Sequence, residues 1–184
     1  SVCSAGDFNG DGFPDAVISA LGPGFWPNNP RETYILFGAS DVPSVLRTDN
    51  LEDRAITLKG VHPGNGLGCD LACAGDVNKD GFDDVLIGAE EGSYGDDYAY
   101  LIYGGTDVPP VVDMNDFLDL DLGVLIRGVT ETEQRWALGS SVAGLGDIDG
   151  DDWPDIAVAA TGTPHDGKQF VGSVHVIFGG PDLP

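Results

Sequence analysis

The chain contains three copies of one short acidic motif, and this repetition constrains its fold more than any other feature. The copies read AGDFNGDGFPD, AGDVNKDGFDD and LGDIDGDDWPD, and they align without gaps. Their first aspartates, Asp7, Asp76 and Asp147, lie 69 and 71 residues apart. A fixed period of this length indicates a row of equivalent supersecondary units.

Each repeat is predicted to hold four short strands separated by turns. The predicted strands are one that starts at Ser1, 67–74 and 138–145 before the acidic loop, 16–20, 85–89 and 156–160 after it, then 34–38, 100–105 and 174–180, and finally 55–60 and 123–128. Four-stranded units at a fixed period are typical of β-propeller blades. We therefore predict an all-β fold of about three four-stranded antiparallel blades, with about eleven strands because the last outer strand is missing. A β-sandwich of similar hairpins is the alternative.

Residues 1–184 are expected to form a single propeller region with approximate repeats 1–60, 61–128 and 129–184. The outer edge of the third repeat is predicted to be open, and an open edge accepts a strand from a neighbour. A partial propeller of this kind is either a piece of a larger one or is completed by oligomerisation. The second case predicts head-to-tail self-assembly into filaments.

Each acidic loop carries oxygen donors at positions 1, 3, 5 and 9, counted from its first aspartate, and position 7 offers its backbone carbonyl while its ring packs beneath the loop. The candidate metal ligands are Asp7, Asn9, Asp11, Phe13 and Asp15 in the first loop, Asp76, Asn78, Asp80, Phe82 and Asp84 in the second, and Asp147, Asp149, Asp151, Trp153 and Asp155 in the third. Hard oxygen donors without histidine or cysteine suit Ca²⁺. The sequence therefore predicts three Ca²⁺ sites.

Position 6 of the loop is where the chain must bend sharply. Glycine occupies it as Gly12 and Gly81, whereas the third loop has Asp152, which tolerates a positive φ less freely. Lys79 in the second loop is expected to point away from the site. Polar turns without metal are the alternative interpretation of such residues, but the same register in three copies argues against it.

The spacing is similar to the start of an EF-hand, yet the element that closes an EF-hand is absent. An EF-hand requires a glutamate at position 12 and two flanking helices. Position 12 here is Ile18, Ile87 or Val158, each in the middle of a predicted strand. The motif therefore indicates a calcium site between two strands.

The chain resembles the FG-GAP repeats that build the β-propeller of integrin α subunits and related surface proteins. The matching pattern runs from Leu138 through the third acidic loop to Ala160, and Leu67-Gly68 leads into the second loop in the same way. Leucine replaces the phenylalanine of the family in both Leu-Gly pairs. The resemblance implies loops that bind Ca²⁺ and brace the blades, in an extracellular or cell-surface module for cell adhesion, ligand binding or structural assembly.

The charge of the chain excludes two classes of partner. Thirty-one acidic and eight basic residues give a net charge of −23, which is unsuited to nucleic acid or to a polybasic membrane contact. No apolar stretch approaches the roughly 18 residues of a membrane span, and any signal peptide is expected to be absent or already removed. The expected partners are a protein or glycan ligand on the extracellular surface.

Catalysis and carbohydrate binding are alternatives that the sequence favours less. His62, His165 and His175 lie outside the shared motifs, and no G-x-S-x-G nucleophile elbow is present. We therefore expect no enzyme, although the chain would also suit the non-catalytic part of a larger secreted hydrolase or lyase. Trp26 and Trp136 occupy predicted loop positions from which they would stack on sugars in a carbohydrate-binding module.

Three cysteines, Cys3, Cys69 and Cys73, are too few for a disulfide scaffold. A bridge between Cys3 and Cys73 is conceivable because both fall on inner strands of adjacent blades. Cys69 and Cys73 lie in one predicted strand, where four residues span roughly 13 Å against a limit near 7 Å. Buried free thiols are the expected state.

Overall fold

A computed structural model describes residues 1–20, 30–63, 66–90, 97–128, 137–163, 171–181 and 183. These residues form twelve β-strands and a single turn of 3₁₀-helix at Glu52–Arg54. The strands are β1 (Val2–Gly6), β2 (Asp15–Ala20), β3 (Pro30–Leu36), β4 (Ala55–Pro63), β5 (Leu67–Gly75), β6 (Asp84–Ala89), β7 (Tyr98–Ile102), β8 (Val111–Asp113), β9 (Gly123–Arg127), β10 (Leu138–Gly146), β11 (Asp155–Ala160) and β12 (Ser173–Ile177). Within these ranges, no helix has the length and apolar character needed to cross a bilayer.

The strands form three meanders, one for each sequence repeat. Blade 1 contains β1, β2, β3 and β4 in that order, blade 2 contains β5, β6, β7 and β9, and blade 3 contains β10, β11 and β12. Neighbouring strands within each meander are antiparallel, and each acidic loop joins the first two of them. The predicted all-β fold of propeller blades is confirmed.

Strand β8 has no counterpart among the predicted strands, and it joins two blades. It belongs to the connection between β7 and β9 of blade 2, but it pairs in parallel with β4 at the outer edge of blade 1. Phe117, which follows it, is buried with its ring edge against Tyr100 and the ring centroids 5.2 Å apart. The sheet of blade 1 is therefore five-stranded and mixed, which corrects the prediction of four antiparallel strands there.

The hydrophobic cores lie between blades. One cluster joins blades 1 and 2 and includes Phe8 and Ile35 of blade 1 with Tyr100 of blade 2. A second cluster joins blades 2 and 3 and includes Leu101 with Val158. Successive residues of a strand point to opposite faces of its sheet, so Tyr100 packs between blades 1 and 2 and Leu101 packs between blades 2 and 3. Both faces of blade 2 are consequently buried, and every residue of β6 is buried.

The backbones of blades 2 and 3 lie in close contact at Gly88. A Cβ atom on Gly88 would lie 2.1 Å from the carbonyl oxygen of Gly139. We expect Gly88→Ala to lower the free energy of unfolding by about 2 kcal/mol in a denaturant titration, within the range measured for overpacked interiors. Gly128→Ala is the matched control, because its Cβ would make an ordinary contact 3.5 Å from the Leu138 Cβ. Equal stability of the two variants would contradict this close approach.

The cysteines are free, as the sequence predicts, but they are half-buried rather than buried. Burial, and to a lesser degree the neighbouring Cys73 and Asp70, raises the pKa of the Cys3 thiol to about 11. The Cys69 Sγ lies 3.1 Å from the Gly139 carbonyl oxygen, to which it donates a hydrogen bond. Burial also raises the pKa of Cys69 and Cys73, so the inner strands of the blades hold protonated thiols at neutral pH.

Candidate metal centre

The three acidic loops share one hydrogen-bonding scheme, which begins at position 1. In each loop, one carboxylate oxygen of position 1 accepts a hydrogen bond from the backbone N–H of position 6. The pairs are Asp7 with Gly12 at 3.0 Å, Asp76 with Gly81 at 3.0 Å, and Asp147 with Asp152 at 2.9 Å. These bonds close each loop around its first aspartate.

Positions 3 and 5 continue the scheme with short-range turns. The side-chain oxygen of position 3 accepts from the N–H of position 5, and the carboxylate of position 5 accepts from the N–H of position 7, as aspartate and asparagine do in Asx turns. The acceptors at position 3 are Asn9, Asn78 and Asp149, at 3.0, 3.1 and 3.2 Å. The acceptors at position 5 are Asp11, Asp80 and Asp151, at 2.9, 3.0 and 2.9 Å. The identical scheme makes the three loops conformational copies.

The third loop brings three carboxylates together. One oxygen from each of Asp147, Asp149 and Asp151 lies within 4.8 Å of the others, and all three side chains are exposed. The pKa of Asp149 is raised, first by loss of hydration and then by the neighbouring carboxylates of Asp151 and Asp155. The pKa of Asp147 is lowered, chiefly by the backbone N–H of Asp152. A divalent cation would offset the repulsion among these groups.

The bend at position 6 is the same with aspartate as with glycine. Asp152 has a φ of 71°, beside 87° for Gly12 and 95° for Gly81. Aspartate is one of the few residues other than glycine that tolerates this left-handed region. The third loop is therefore not distorted by its missing glycine.

The first loop contains a buried carboxylate oxygen that lacks a partner. Asp7 Oδ2 accepts from Gly12, whereas Asp7 Oδ1 is buried and has no hydrogen-bond partner in the described structure. A buried acceptor left unsatisfied costs about 1–3 kcal/mol. A cation ligated by this oxygen would remove that cost, so the residues present fit the metal that the loop spacing predicts.

The aspartates at position 9 differ from the other candidate ligands, because they are buried. Each one accepts one backbone N–H at the start of its own loop and another from the glycine after the third strand of its blade. The donors are Phe8 and Gly38 for Asp15, at 2.9 and 2.8 Å; Val77 and Gly104 for Asp84, at 2.9 and 2.8 Å; and Ile148 and Gly179 for Asp155, both at 2.8 Å. Position 9 thus clamps the loop to two strands.

This clamp has an electrostatic consequence. Burial raises the pKa of Asp84 to about 7, against the opposing effect of its hydrogen bonds from Gly104 and Val77. Burial also raises the pKa of Asp15. A carboxylate oxygen has two lone pairs and can accept a hydrogen bond while it binds a metal. A ligand role at position 9, in addition to the clamp, stays a prediction.

The aromatic residues at position 7 of the second and third loops, Phe82 and Trp153, pack against the loop of the preceding blade. The Phe82 ring contacts Gly10 so closely that a Cβ there would lie 2.5 Å from it, and the Trp153 ring lies 4.5 Å from the Lys79 Nζ. Phe13 is 41% exposed. The expectation that each ring packs beneath its own loop is therefore wrong, because Phe82 and Trp153 contact the preceding loop and Phe13 is exposed. Lys79 turns toward the next blade.

Comparison with known proteins identifies the repeats. The family model described as FG-GAP repeat matches residues 1–32, 71–103 and 138–177. The chain belongs to the FG-GAP repeat family. Each matched segment contains one acidic loop together with strands before and after it, so each blade carries one FG-GAP repeat.

Curated relatives of this FG-GAP chain are much longer proteins. Integrin alpha pat-2 of Caenorhabditis elegans is 30% identical in an alignment of length 185 that covers 97% of this chain and 14% of the relative. Human integrin alpha-8 is 30% identical in an alignment of length 162 that covers 85% of this chain and 14% of the relative. Rat phosphatidylinositol-glycan-specific phospholipase D is 35% identical in an alignment of length 119 that covers 61% of this chain and 13% of the relative. The chain thus spans about one-seventh of the length of these relatives.

The other candidate residues of the FG-GAP chain do not form a second site in the described ranges. Trp26, Trp136 and His165 lie outside the described residues, as does the side chain of His62. His175 is exposed on β12 with its Nε2 atom 3.0 Å from the Ser173 hydroxyl. The acidic loops are therefore the chemically distinctive feature of the structure.

Proposed function

We propose that this FG-GAP region is an extracellular calcium-binding module that acts in cell adhesion, ligand binding or structural assembly. The observation that carries the proposal is the approach of the carboxylates of Asp147, Asp149 and Asp151 to within 4.8 Å. Three exposed like charges at this separation are unfavourable without a counter-ion. Ca²⁺ accepts six to eight oxygen ligands in flexible geometry, which suits a loop of exposed carboxylates.

The loops would hold three ions, one for each blade. Positions 1, 3 and 5 supply side-chain oxygens, position 7 supplies its carbonyl, and the buried aspartate of position 9 completes the set while it holds the strands. The unpartnered Asp7 Oδ1 supports this assignment in the first loop. The second and third loops support it by repeating the hydrogen-bonding scheme of the first. The role of the ion would be to brace the junction between the first two strands.

The location is inferred from the relatives and from calcium chemistry. Two of the relatives are integrin α subunits, and extracellular calcium modules commonly bind with dissociation constants of about 10⁻⁴ to 10⁻³ M. A protein or glycan ligand is the partner that such a surface module would recognise. The strong negative charge argues against nucleic acid.

Isothermal titration of the chelator-treated chain with CaCl₂ tests the proposal. We expect three ions per chain, and two for Asp147→Asn, because this change removes the position 1 carboxylate of one loop. Asp119→Asn is the matched control, since Asp119 is exposed and lies outside the loops. The absence of binding at millimolar Ca²⁺ would overturn the calcium proposal. If Asp147→Asn and Asp119→Asn lost the same number of bound ions, the third acidic loop would not be the site of the lost ion.

A second candidate is the non-catalytic part of a larger secreted hydrolase. The similarity to phosphatidylinositol-glycan-specific phospholipase D, at 35% identity over 119 residues, favours it. Carbohydrate binding through Trp26 or Trp136 stays a prediction as well. Glycan-array binding by the chain that disappears in Trp26→Ala would support the carbohydrate-binding alternative, and an array without signal would contradict it.

A further inference from the structure

The first acidic loop differs from the other two at positions 3 and 4, where it has the pair Asn9-Gly10. The second loop has Asn78-Lys79 at these positions, and the third has Asp149-Gly150. The side-chain amide of an asparagine can be attacked by the backbone nitrogen of the next residue, and glycine hinders this attack least because it has no side chain. The first loop therefore places a reactive amide beside the least shielded backbone nitrogen.

The glycine of this pair is required by the structure of the loop. Position 4 has a left-handed backbone in every copy, with a φ of 73° at Gly10, 55° at Lys79 and 84° at Gly150. Gly10 also lies against the Phe82 ring of the next blade, where an added Cβ would be 2.5 Å from the nearest ring atom. Any larger residue in place of Gly10 would be strained by its backbone and would clash with this ring.

The side chain of Asn9 is folded back over the residues that follow it. Its Oδ1 atom accepts a hydrogen bond of 3.0 Å from the Asp11 N–H, and its Nδ2 atom donates one of 3.0 Å to the Asp11 carboxylate. The first of these bonds closes an Asx turn, and the ring of this turn contains both the Asn9 Cγ atom and the Gly10 nitrogen. The turn therefore holds the amide carbon near the nitrogen that would attack it.

The Gly10 N–H is not occupied by another interaction. It donates no hydrogen bond in the described structure of the loop, and Gly10 is exposed to solvent. In the third loop, by contrast, the Gly150 N–H donates a hydrogen bond of 2.7 Å to Asp147. The equivalent acceptor in the first loop, Asp7 Oδ1, has no partner. The attack therefore breaks no hydrogen bond of the Gly10 N–H in the described loop.

We propose that Asn9 is a site of spontaneous deamidation, in which the Gly10 nitrogen attacks the Asn9 Cγ atom. Hydroxide removes the proton from the Gly10 nitrogen, a bond forms between this nitrogen and Cγ, and the bond from Cγ to Nδ2 breaks. The Nδ2 group takes a proton from water and leaves as ammonia. Water then opens the cyclic imide at one of its two carbonyl groups, which gives aspartate or isoaspartate in place of Asn9. Water and hydroxide are the only co-reactants, and no group is oxidised or reduced.

The aspartate product fits the loop, because the third loop already contains it. Asp149 makes the same turn, accepting a hydrogen bond of 3.2 Å from the Asp151 N–H. Deamidation replaces an amide that donates to Asp11 by a carboxylate that repels it. The first loop would then have the four carboxylates of the third, and a higher ligand charge strengthens Ca²⁺ binding. This consequence, unlike the modification itself, rests on the proposed calcium function.

Tandem mass spectrometry of the folded chain, aged in EGTA at mildly alkaline pH, tests the proposal. Asn9 should gain the mass difference between a carboxamide and a carboxylic acid about ten times faster than Asn78, because the Lys79 side chain shields the attacking nitrogen. Asn78 is a matched control within the same molecule, since it makes the same two hydrogen bonds with Asp80, at 3.1 and 2.9 Å. The method assigns each change to one residue and so separates Asn9 from the Asn-Gly pair at 65–66.

Lys79→Gly provides the reciprocal test. Glycine accepts the φ of 55° at this position, so the variant should fold, as circular dichroism can show, and Asn78 should then deamidate about as fast as Asn9. An Asn9 that changes no faster than Asn78 in the wild type would overturn the proposal, as would an Asn78 that Lys79→Gly does not accelerate.

The calcium titration fails independently of this experiment, because the ageing is done in EGTA and the readout is a covalent change. A chain that binds three ions while Asn9 stays intact would refute the deamidation alone. A chain that deamidates at Asn9 and binds no Ca²⁺ would support the deamidation and refute the calcium function.

Discussion

Chelation of calcium is expected to cost the chain about 8 kcal/mol of unfolding free energy, if three sites each contribute about 2.7 kcal/mol at one hundred times their dissociation constant. For a chain of this size, each kcal/mol changes the melting temperature by about 2–4 °C. The melting temperature should therefore fall by about 20 °C when EGTA replaces CaCl₂, as followed by circular dichroism. The physical reason is the group of carboxylates at Asp147, Asp149 and Asp151, whose mutual repulsion has no counter-charge after chelation.

The control for this experiment is the return of calcium. Excess CaCl₂ added to the chelated sample should restore the melting temperature, whereas Mg²⁺ should restore it less, because Mg²⁺ demands a stricter octahedral geometry and retains its waters. Asp147→Asn should show about two-thirds of the wild-type shift, since one of three sites is lost. A melting temperature that EGTA leaves unchanged would refute the calcium assignment.

The elements that repeat in the sequence were predictable from it. Strands on either side of each acidic loop follow from an apolar run in a fixed place beside a turn, as in Ile156–Ala160 after the third loop. The local bonds of the loops, such as that from the Asp151 N–H to Asp149, are also consequences of residue type and spacing alone. Short-range order of this kind depends only on neighbours in the chain.

Strand β8 shows where this reasoning fails. Val111 and Val112 follow two prolines, so the sequence predicts a connection and not a strand at this place. Their partners in β4 lie more than fifty residues earlier in the chain. A usable signal was nevertheless present. The sequence Asp-Val-Pro occurs at 41–43 and at 107–109, in the same place of two repeats, which indicates that this connection is part of the repeated structure.

The role of position 9 and the contacts between blades could not be predicted for the same reason. Spacing presents Asp155 as an oxygen donor, but the Gly179 N–H that it binds lies 24 residues away. Lys79 and Trp153 belong to different blades and are far apart in the sequence, so no local sequence pattern predicts their contact. The sequence thus predicts which residues have oxygen atoms to offer, and only the tertiary structure distinguishes the exposed ones from those that hold strands together.

Asp155→Ala separates these two roles, and its effect should be large even without metal. The carboxylate of Asp155 is completely buried and accepts the N–H groups of Ile148 and Gly179, both at 2.8 Å. Its removal leaves two donors unsatisfied at about 1–3 kcal/mol each, so we expect a loss of about 4 kcal/mol of unfolding free energy in EGTA. Urea denaturation of the chelated protein measures this loss directly.

Asp149→Ala is the matched comparison, because Asp149 belongs to the same loop and is exposed. In EGTA this variant should unfold at nearly the same urea concentration as the wild type, since the substitution removes one of three mutually repelling charges and no bond to a strand. In CaCl₂ it should lose the stabilisation of the third site. A clamp at position 9 thus predicts that Asp155→Ala lowers stability with and without calcium, whereas Asp149→Ala lowers it only when calcium is present. If the two variants were equally stable in EGTA, the buried aspartate would not be a clamp, and position 9 would act only as a metal ligand.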